Sequence, residues 1–280
     1  MRLKSIFILL LLIVTESGSA QKTIKIWDGM DVSIKHKWSE LIVFLPENSN
    51  SSGISVIICP GGSYFWLDMK KEGFEVAKYL NKQGITAFVL KYRTAMFGNH
   101  YPAMIQDLER AIQIVKTNCK EYNIHPDKIG IMGFSAGGHL AGTAAIYAKD
   151  ETKPYFVAMI YPVVSMQEPI CHKLSRRNLL GKNHSNELKE KMSLEKNIHA
   201  GIPPVFLLHC TGDKTVDYQN SVIFAKKLTE NNVKHLFLLF DEKKRGGHGF
   251  GIKPNGKTTG WIDEFLKWIP PLTPLTPLTP

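Results

Sequence analysis

The 280-residue sequence is poor in cysteine, with only Cys59, Cys119, Cys171 and Cys210. Four thiols in so long a chain are no disulfide scaffold, even in an oxidising compartment. They also lack the paired spacing, with each other or with histidine, that a zinc site uses. No metal is indicated, and no cofactor. Cys59 and Cys210 each end an apolar run and read as buried thiols. No apolar run is long enough for a stable membrane span, which needs about 20 residues; Ile6 to Val14 falls well short. Clustered charge is missing too. The formal net charge is +10, but the lysines are scattered and no run of them interleaves with aromatics. That argues for solubility and a general positive field, and against a nucleic-acid partner.

Export is the reading of residues 1–20. Arg2 and Lys4 make a basic start, Ile6 to Val14 an apolar core, and Gly18-Ser19-Ala20 a small-residue cleavage site. The mature protein is then expected to be periplasmic or secreted, with no stable membrane insertion. Residues 21–270 suit one large domain, because no shift in composition divides them. From 271 to 280 a Pro-Leu-Thr repeat reads as an extended tail that fills no core.

Within the domain, strands alternate with helices. Thr23 to Trp27 and Leu41 to Leu45 suggest an antiparallel opening to the sheet. Ile54 to Cys59, Ile85 to Leu90 and Val205 to His209 read as buried strands, and the apolar run Ile129 to Phe134, Tyr155 to Ile160 and Lys234 to Phe240 as further strands. Helices are expected over Glu72 to Leu80, after Pro102, from Ala136 and around Ile262 to Ile269. The fold class is therefore α/β, a mostly parallel sheet of about eight strands with helices on both faces. Residues 163–204 interrupt the alternation. This polar, basic insertion, with a short helix around Asn186 to Met192, reads as a functional segment or lid.

Lys128 to His139 carries the strongest chemical signal. A short apolar run ends at Gly133-Phe134-Ser135-Ala136-Gly137 and an Ala-rich helix follows. This is the strand, sharp turn and helix of a nucleophile elbow, with Ser135 exposed at its tip. A serine hydroxyl needs a base, and the base needs a carboxylate to orient it. With an elbow of this kind the acid comes next in the chain and the histidine last. Asp213, after the strand ending near His209, and His248, in Gly246-Gly247-His248-Gly249, fill those places. Asp217, expected in the first turn of the next helix, and Asp241, at a strand end, compete for the acid role. His139, on the helix after Ser135, reads as a packing residue. Pro60-Gly61-Gly62-Ser63 follows the third strand, so the amides of Gly62 and Ser63, with that of Ala136, are the oxyanion-hole candidates. Tyr64 and His172 are candidates for the substrate side, His172 with Ser175 and Arg176 in the insertion.

These segments together resemble the α/β-hydrolases of the acetyl-xylan-esterase-like, dienelactone-hydrolase-related group. The likeness runs through Cys59 to Tyr64, Glu72-Gly73, Leu90 to Arg93, Gly133 to Leu140, Asn178 to Gly181, Asp213 to Val216 with Asn220-Ser221, and Gly247 to Gly251. It implies Ser135 as nucleophile, His248 as base and Asp213 as the orienting acid. Two positions depart from the pattern: Ser63 stands where a third glycine is usual, and Asp217 where proline is common. The implied activity is removal of short acyl groups, acetyl foremost, from an acylated oligo- or polysaccharide or another small ester. The alternatives are a general carboxylesterase, a feruloyl esterase or an amidase on the same triad, or a non-catalytic binding protein on the same fold.

Overall fold

Eight strands hydrogen-bond in the order β1-β2-β4-β3-β5-β6-β7-β8. They are β1 (Lys22–Lys25), β2 (Glu40–Phe44), β3 (Ser55–Cys59), β4 (Thr86–Lys91), β5 (Ile129–Phe134), β6 (Val157–Ile160), β7 (Val205–Cys210) and β8 (His235–Phe240). β2 runs antiparallel to both β1 and β4, and every later pairing is parallel. The computed structural model describes residues 22–29, 38–46, 51–241, 247–252 and 260–269. The expected export segment, the Pro-Leu-Thr tail and Gly246 lie outside the described residues.

The alternating pleat of the strands explains the two cores. Leu41, Val43, Ile57, Phe88, Leu90, Ile131, Val157, Met159, Val205 and Leu207 face one layer of helices. That layer is α2 (Ala103–Thr117), α3 (Ala136–Tyr147) and, later in the chain, α6 (Gln219–Glu230). Val56, Ile58, Ala87, Val89, Met132, Phe134, Ala158, Ile160, Phe206 and Leu208 face the other, formed by α1 (Glu75–Lys82) and α7 (Trp261–Trp268). On that second face Phe156, Phe206, Phe265 and Trp268 pack as a cluster of tilted and edge-on rings. Both faces of β3 to β7 are therefore buried, so these strands are almost wholly apolar rather than alternating, while β8 at the edge is only half-buried.

Some boundaries differ from the sequence reading. The helix expected from Glu72 begins as a π-turn over Lys70–Phe74 and becomes α-helical only at Glu75. β1 ends at Lys25, because the chain then turns Ile26 and Trp27 into the core. Asp107 of α2 anchors that corner, accepting from Trp27 Nε1 at 2.7 Å, Ser39 Oγ at 2.7 Å and the buried Arg93 side chain.

The insertion is firmly seated. Its underside buries Val163, Val164, Met166, Leu179, Met192 and Leu194. Asn220 of α6 holds its start, its Oδ1 accepting from the amides of both Val164 and Ser165 at 2.9 Å. The short helix around Asn186 is present as α5 (Asn186–Lys191), and α4 (Lys173–Leu180) precedes it. Sequence reasoning missed α4 because its inward face is partly polar: Ser175 and Asn178 are buried beside Leu179 and Leu180.

Candidate active site

The parallel strands all point their carboxyl ends to one edge of the sheet, which is where loops on this architecture gather side chains. β5 ends there and reverses directly into α3, with Ser135 between them at φ +53° and ψ −118°. The strain at Ser135 is maintained by its surroundings. Its amide donates to Ile160 O at 2.9 Å, and its carbonyl accepts from His139 N and Val163 N, each at 3.1 Å. Close backbone approach explains the flanking glycines. A Cβ on Gly133 would lie 2.0 Å from Gly137 O, and one on Gly137 would lie 2.0 Å from Cys59 O.

Ser135, His248 and Asp213 are brought together. Ser135 Oγ lies 2.9 Å from His248 Nε2, and His248 Nδ1 lies 2.6 Å from Asp213 Oδ2. The loop after β7 delivers Asp213, and the loop after β8 delivers His248. The competing acids are occupied elsewhere. Asp241 Oδ1 accepts from Thr211 Oγ1. Asp217 stands before α6 rather than in its first turn, with Oδ1 accepting from Gln219 N at 2.9 Å. The helix starts later than its composition suggested, and Asp217 caps the approach to it.

The Asp213 carboxylate is saturated with donors. Oδ1 accepts from the amides of Thr215 and Val216 at 2.8 and 2.9 Å. Oδ2 is shared by His248 and by a second histidine, His209, whose Nε2 lies 3.1 Å away. Burial alone would raise this carboxyl, but hydrogen bonds from His209 and His248 outweigh it and hold Asp213 well below the usual carboxylate range. His209 is fully buried on β7, with Nδ1 2.7 Å from Ser221 Oγ. Sequence reasoning did not give it a role. The available signal was a histidine inside a buried strand run, four residues before the acid.

The loop after β3 lies against the elbow. Gly62 has φ +133°, and Ser63 and Tyr64 follow at +56° and +60°. No acceptor among the described residues takes the amides of Gly62, Ser63 or Ala136, which leaves those three donors available to a developing oxyanion. Asn178 of the insertion steadies the loop from outside, its Nδ2 donating to Ser63 O at 2.8 Å.

The two substrate-side candidates separate. Tyr64 is fully buried, and its hydroxyl lies 2.8 Å from His139 Nδ1. It points into the core and offers a substrate no surface, because positive φ at Ser63 and Tyr64 turns the chain inward. Its partner His139 is also fully buried, with Nε2 2.8 Å from Met192 O; burial lowers its pKa to about 4. His172 is half-buried and lines an open cavity of about 410 Å³ beside the triad, together with Asp213, Lys214, Thr215, Asp217 and Tyr218. Its pKa is lowered by burial and then by the nearby His248. Ser175 is buried against His172 Nδ1 at 2.8 Å, and Arg176 is held inside the insertion by Met166 O and Glu168.

The BD-FAE family model matches residues 41–228. The chain belongs to the BD-FAE family. Its α/β-hydrolase fold is shared with a solved acetyl ester-xyloside bifunctional hydrolase from Caldicellulosiruptor lactoaceticus, at a TM-score of 0.80 and 30% identity, over 88% of this chain and 94% of that one. Among curated proteins, an acetylxylan esterase from Xylanibacter ruminicola is 33% identical over 241 residues, 83% of this chain. An endo-1,4-beta-xylanase B from Butyrivibrio fibrisolvens is 32% identical over 219 residues, 74% of this chain. This BD-FAE chain spans 48% of the length of the first and 34% of the second.

Proposed function

We propose that this protein is a serine esterase that removes short acyl groups, acetyl foremost, from carbohydrate. The observation that carries the reading is the continuous contact from Asp213 through His248 to Ser135, made at a strained elbow beside three unengaged amides. Ser135 Oγ attacks the ester carbonyl while His248 Nε2 takes its proton. The carbonyl oxygen becomes an oxyanion received by the amides of Gly62, Ser63 and Ala136. Collapse of the tetrahedral species breaks the bond to the sugar oxygen, which leaves with the proton from His248. Water, deprotonated by His248, then attacks the acyl-Ser135 ester, and the carboxylic acid departs as the serine regains its proton. Asp213 holds the imidazole tautomer throughout.

The similar acetylxylan esterase and the solved acetyl ester-xyloside hydrolase support carbohydrate as the leaving group. Glycoside cleavage would call on two carboxyl groups flanking the scissile bond. Here Asp213 and Glu72 are buried and already hydrogen-bonded to other site residues. Export rests on the residue pattern of 1–20 alone.

A fluorophosphonate probe tests the nucleophile directly. Wild-type protein is expected to gain one covalent adduct on Ser135, seen by peptide mass spectrometry, and folded Ser135→Ala protein none. A folded wild type that stays unlabelled would refute a serine esterase.

A further inference from the structure

Glu72 is a carboxyl with only 3% of its surface exposed, set in the π-turn ahead of α1. Its two oxygens go to two different parts of the site. Oε2 accepts from the amide of Gly61 at 2.7 Å, and Gly61 opens the loop that presents Gly62 and Ser63. Oε1 accepts from the hydroxyl of Tyr161 at 2.8 Å. Tyr161 follows β6, and its ring centroid lies 4.7 Å from that of His248. The same hydroxyl accepts from the amide of Gly251 at 3.1 Å, three residues beyond the histidine. One buried side chain thus ties the oxyanion loop to the histidine loop.

The chemistry of the partners selects a carboxylate. Gly61 N–H and Tyr161 O–H both donate, so each end of the side chain must accept. Glutamine would turn its NH2 group toward one of these donors. The side chain is almost fully buried, and a carboxyl without partners is costly to bury. Burial raises the Glu72 pKa, and the hydrogen bonds from Tyr161 and Gly61 with the nearby His248 oppose that rise.

We infer that Glu72 is a positioning residue for the triad. Its carboxylate clamps the two loops in register and adds a second buried negative charge, besides Asp213, toward the imidazolium that forms when Ser135 is deprotonated. The inference rests on the ester-cleaving triad reading. Among the described residues, Asp68, Tyr161, Tyr92 and His248 are the ionisable groups acting with Glu72, and His172, Tyr161 and Asp213, with His209 behind Asp213, those around His248. Tyr92 and Tyr161 are held far above the ordinary tyrosine range by burial and stay neutral throughout an assay.

The test compares full-length wild type with Glu72→Gln, Glu72→Asp and Tyr161→Phe on p-nitrophenyl acetate, from about pH 5 to about pH 9. Glu72→Gln is expected to lower kcat by about 10- to 100-fold with KM within about twofold, as loss of transition-state positioning should. Its acid limb in kcat/KM should move to lower pH, because a negative charge near the imidazolium has gone. Glu72→Asp, which keeps the charge, should restore the limb. Should Glu72→Gln fail to fold, Tyr161→Phe keeps the ring and breaks only the hydroxyl contacts, and a loss in kcat of about 10-fold is expected. Wild-type kcat and an unmoved acid limb in folded Glu72→Gln would overturn the inference, as would wild-type kcat in Tyr161→Phe. A wild type that neither turns over the ester nor takes a fluorophosphonate on Ser135 would overturn the inference and the triad reading together.

Discussion

Asp213 shows how much one residue depends on contacts the sequence does not display. The order of Ser135, Asp213 and His248 along the chain is enough to nominate the three, because an elbow, a loop after a buried strand and a glycine-flanked histidine each leave a local mark. The partners that hold them leave none. His209 reaches Asp213 Oδ2 at 3.1 Å from within a strand, and Glu72 reaches Tyr161 across 89 positions. Such contacts come from topology, and a composition or period search passes over them. Tyr64 illustrates the opposite error, since its place after the oxyanion loop suggested a substrate contact while its backbone turns it toward His139. The saturation of Asp213 yields a prediction at this scale. Asp213→Asn places an NH2 group where His248 Nδ1–H donates, favouring the wrong imidazole tautomer. A loss in kcat of about 10⁴ is expected with the fold kept, measured as steady-state turnover beside circular dichroism. A loss under about tenfold would assign the orienting role elsewhere.

At the scale of elements, α3 connects the elbow to the insertion. It is buried on nearly all sides, and His139 crosses from it to Tyr64 on one side and Met192 on the other. A neutral imidazole satisfies both, with Nε2–H donating to the Met192 carbonyl and Nδ1 accepting from the Tyr64 hydroxyl. The pH consequence has a definite sign. The His139 pKa falls from 6.5 to about 4 on folding, so between those values the unfolded chain takes up a proton that the folded chain refuses. Stability attributable to His139 is therefore intact above the upper value and falls as pH drops, by about 2 kcal/mol between about pH 7 and about pH 5. Asp213, also depressed, contributes above the ordinary carboxylate range and loses that contribution only in stronger acid. Glu72, raised, acts in the opposite sense, losing stability as pH rises through its folded value. Urea midpoints at the two pH values, for wild type and His139→Gln, separate these groups. The glutamine can make both hydrogen bonds without titrating, so its pH dependence should be smaller by about that amount. Equal pH dependence in the two proteins would remove His139 from the account. The insertion was harder to read from sequence than α3. Its surface is polar and basic, and the apolar residues that seat it are dispersed from Val163 to Ile202 without a clear period.

For the whole molecule, the sheet accounts for the geometry. Six of the strands run parallel, so the loops after β3, β5, β7 and β8 all emerge at one edge and bring residues 61–63, 135, 213 and 248 within reach of one another. That architecture was legible because buried parallel strands are apolar throughout and alternate with helices. The strand order was not, since neighbours β2 and β4 are separated in sequence by β3, and only long-range pairing sets their contact. Family membership and the fold support an ester substrate, while carbohydrate and the acetyl group belong to the proposal, which the similarity to carbohydrate-acting relatives supports. The most direct measurement is therefore acetate release from acetylated xylan and acetylated xylo-oligosaccharides, run beside p-nitrophenyl acetate, with Ser135→Ala as control. Acetate freed from the carbohydrate by wild type and not by Ser135→Ala is the expected result. Ser135-dependent turnover of the small ester with no acetate from any acetylated carbohydrate would contradict carbohydrate deacetylation.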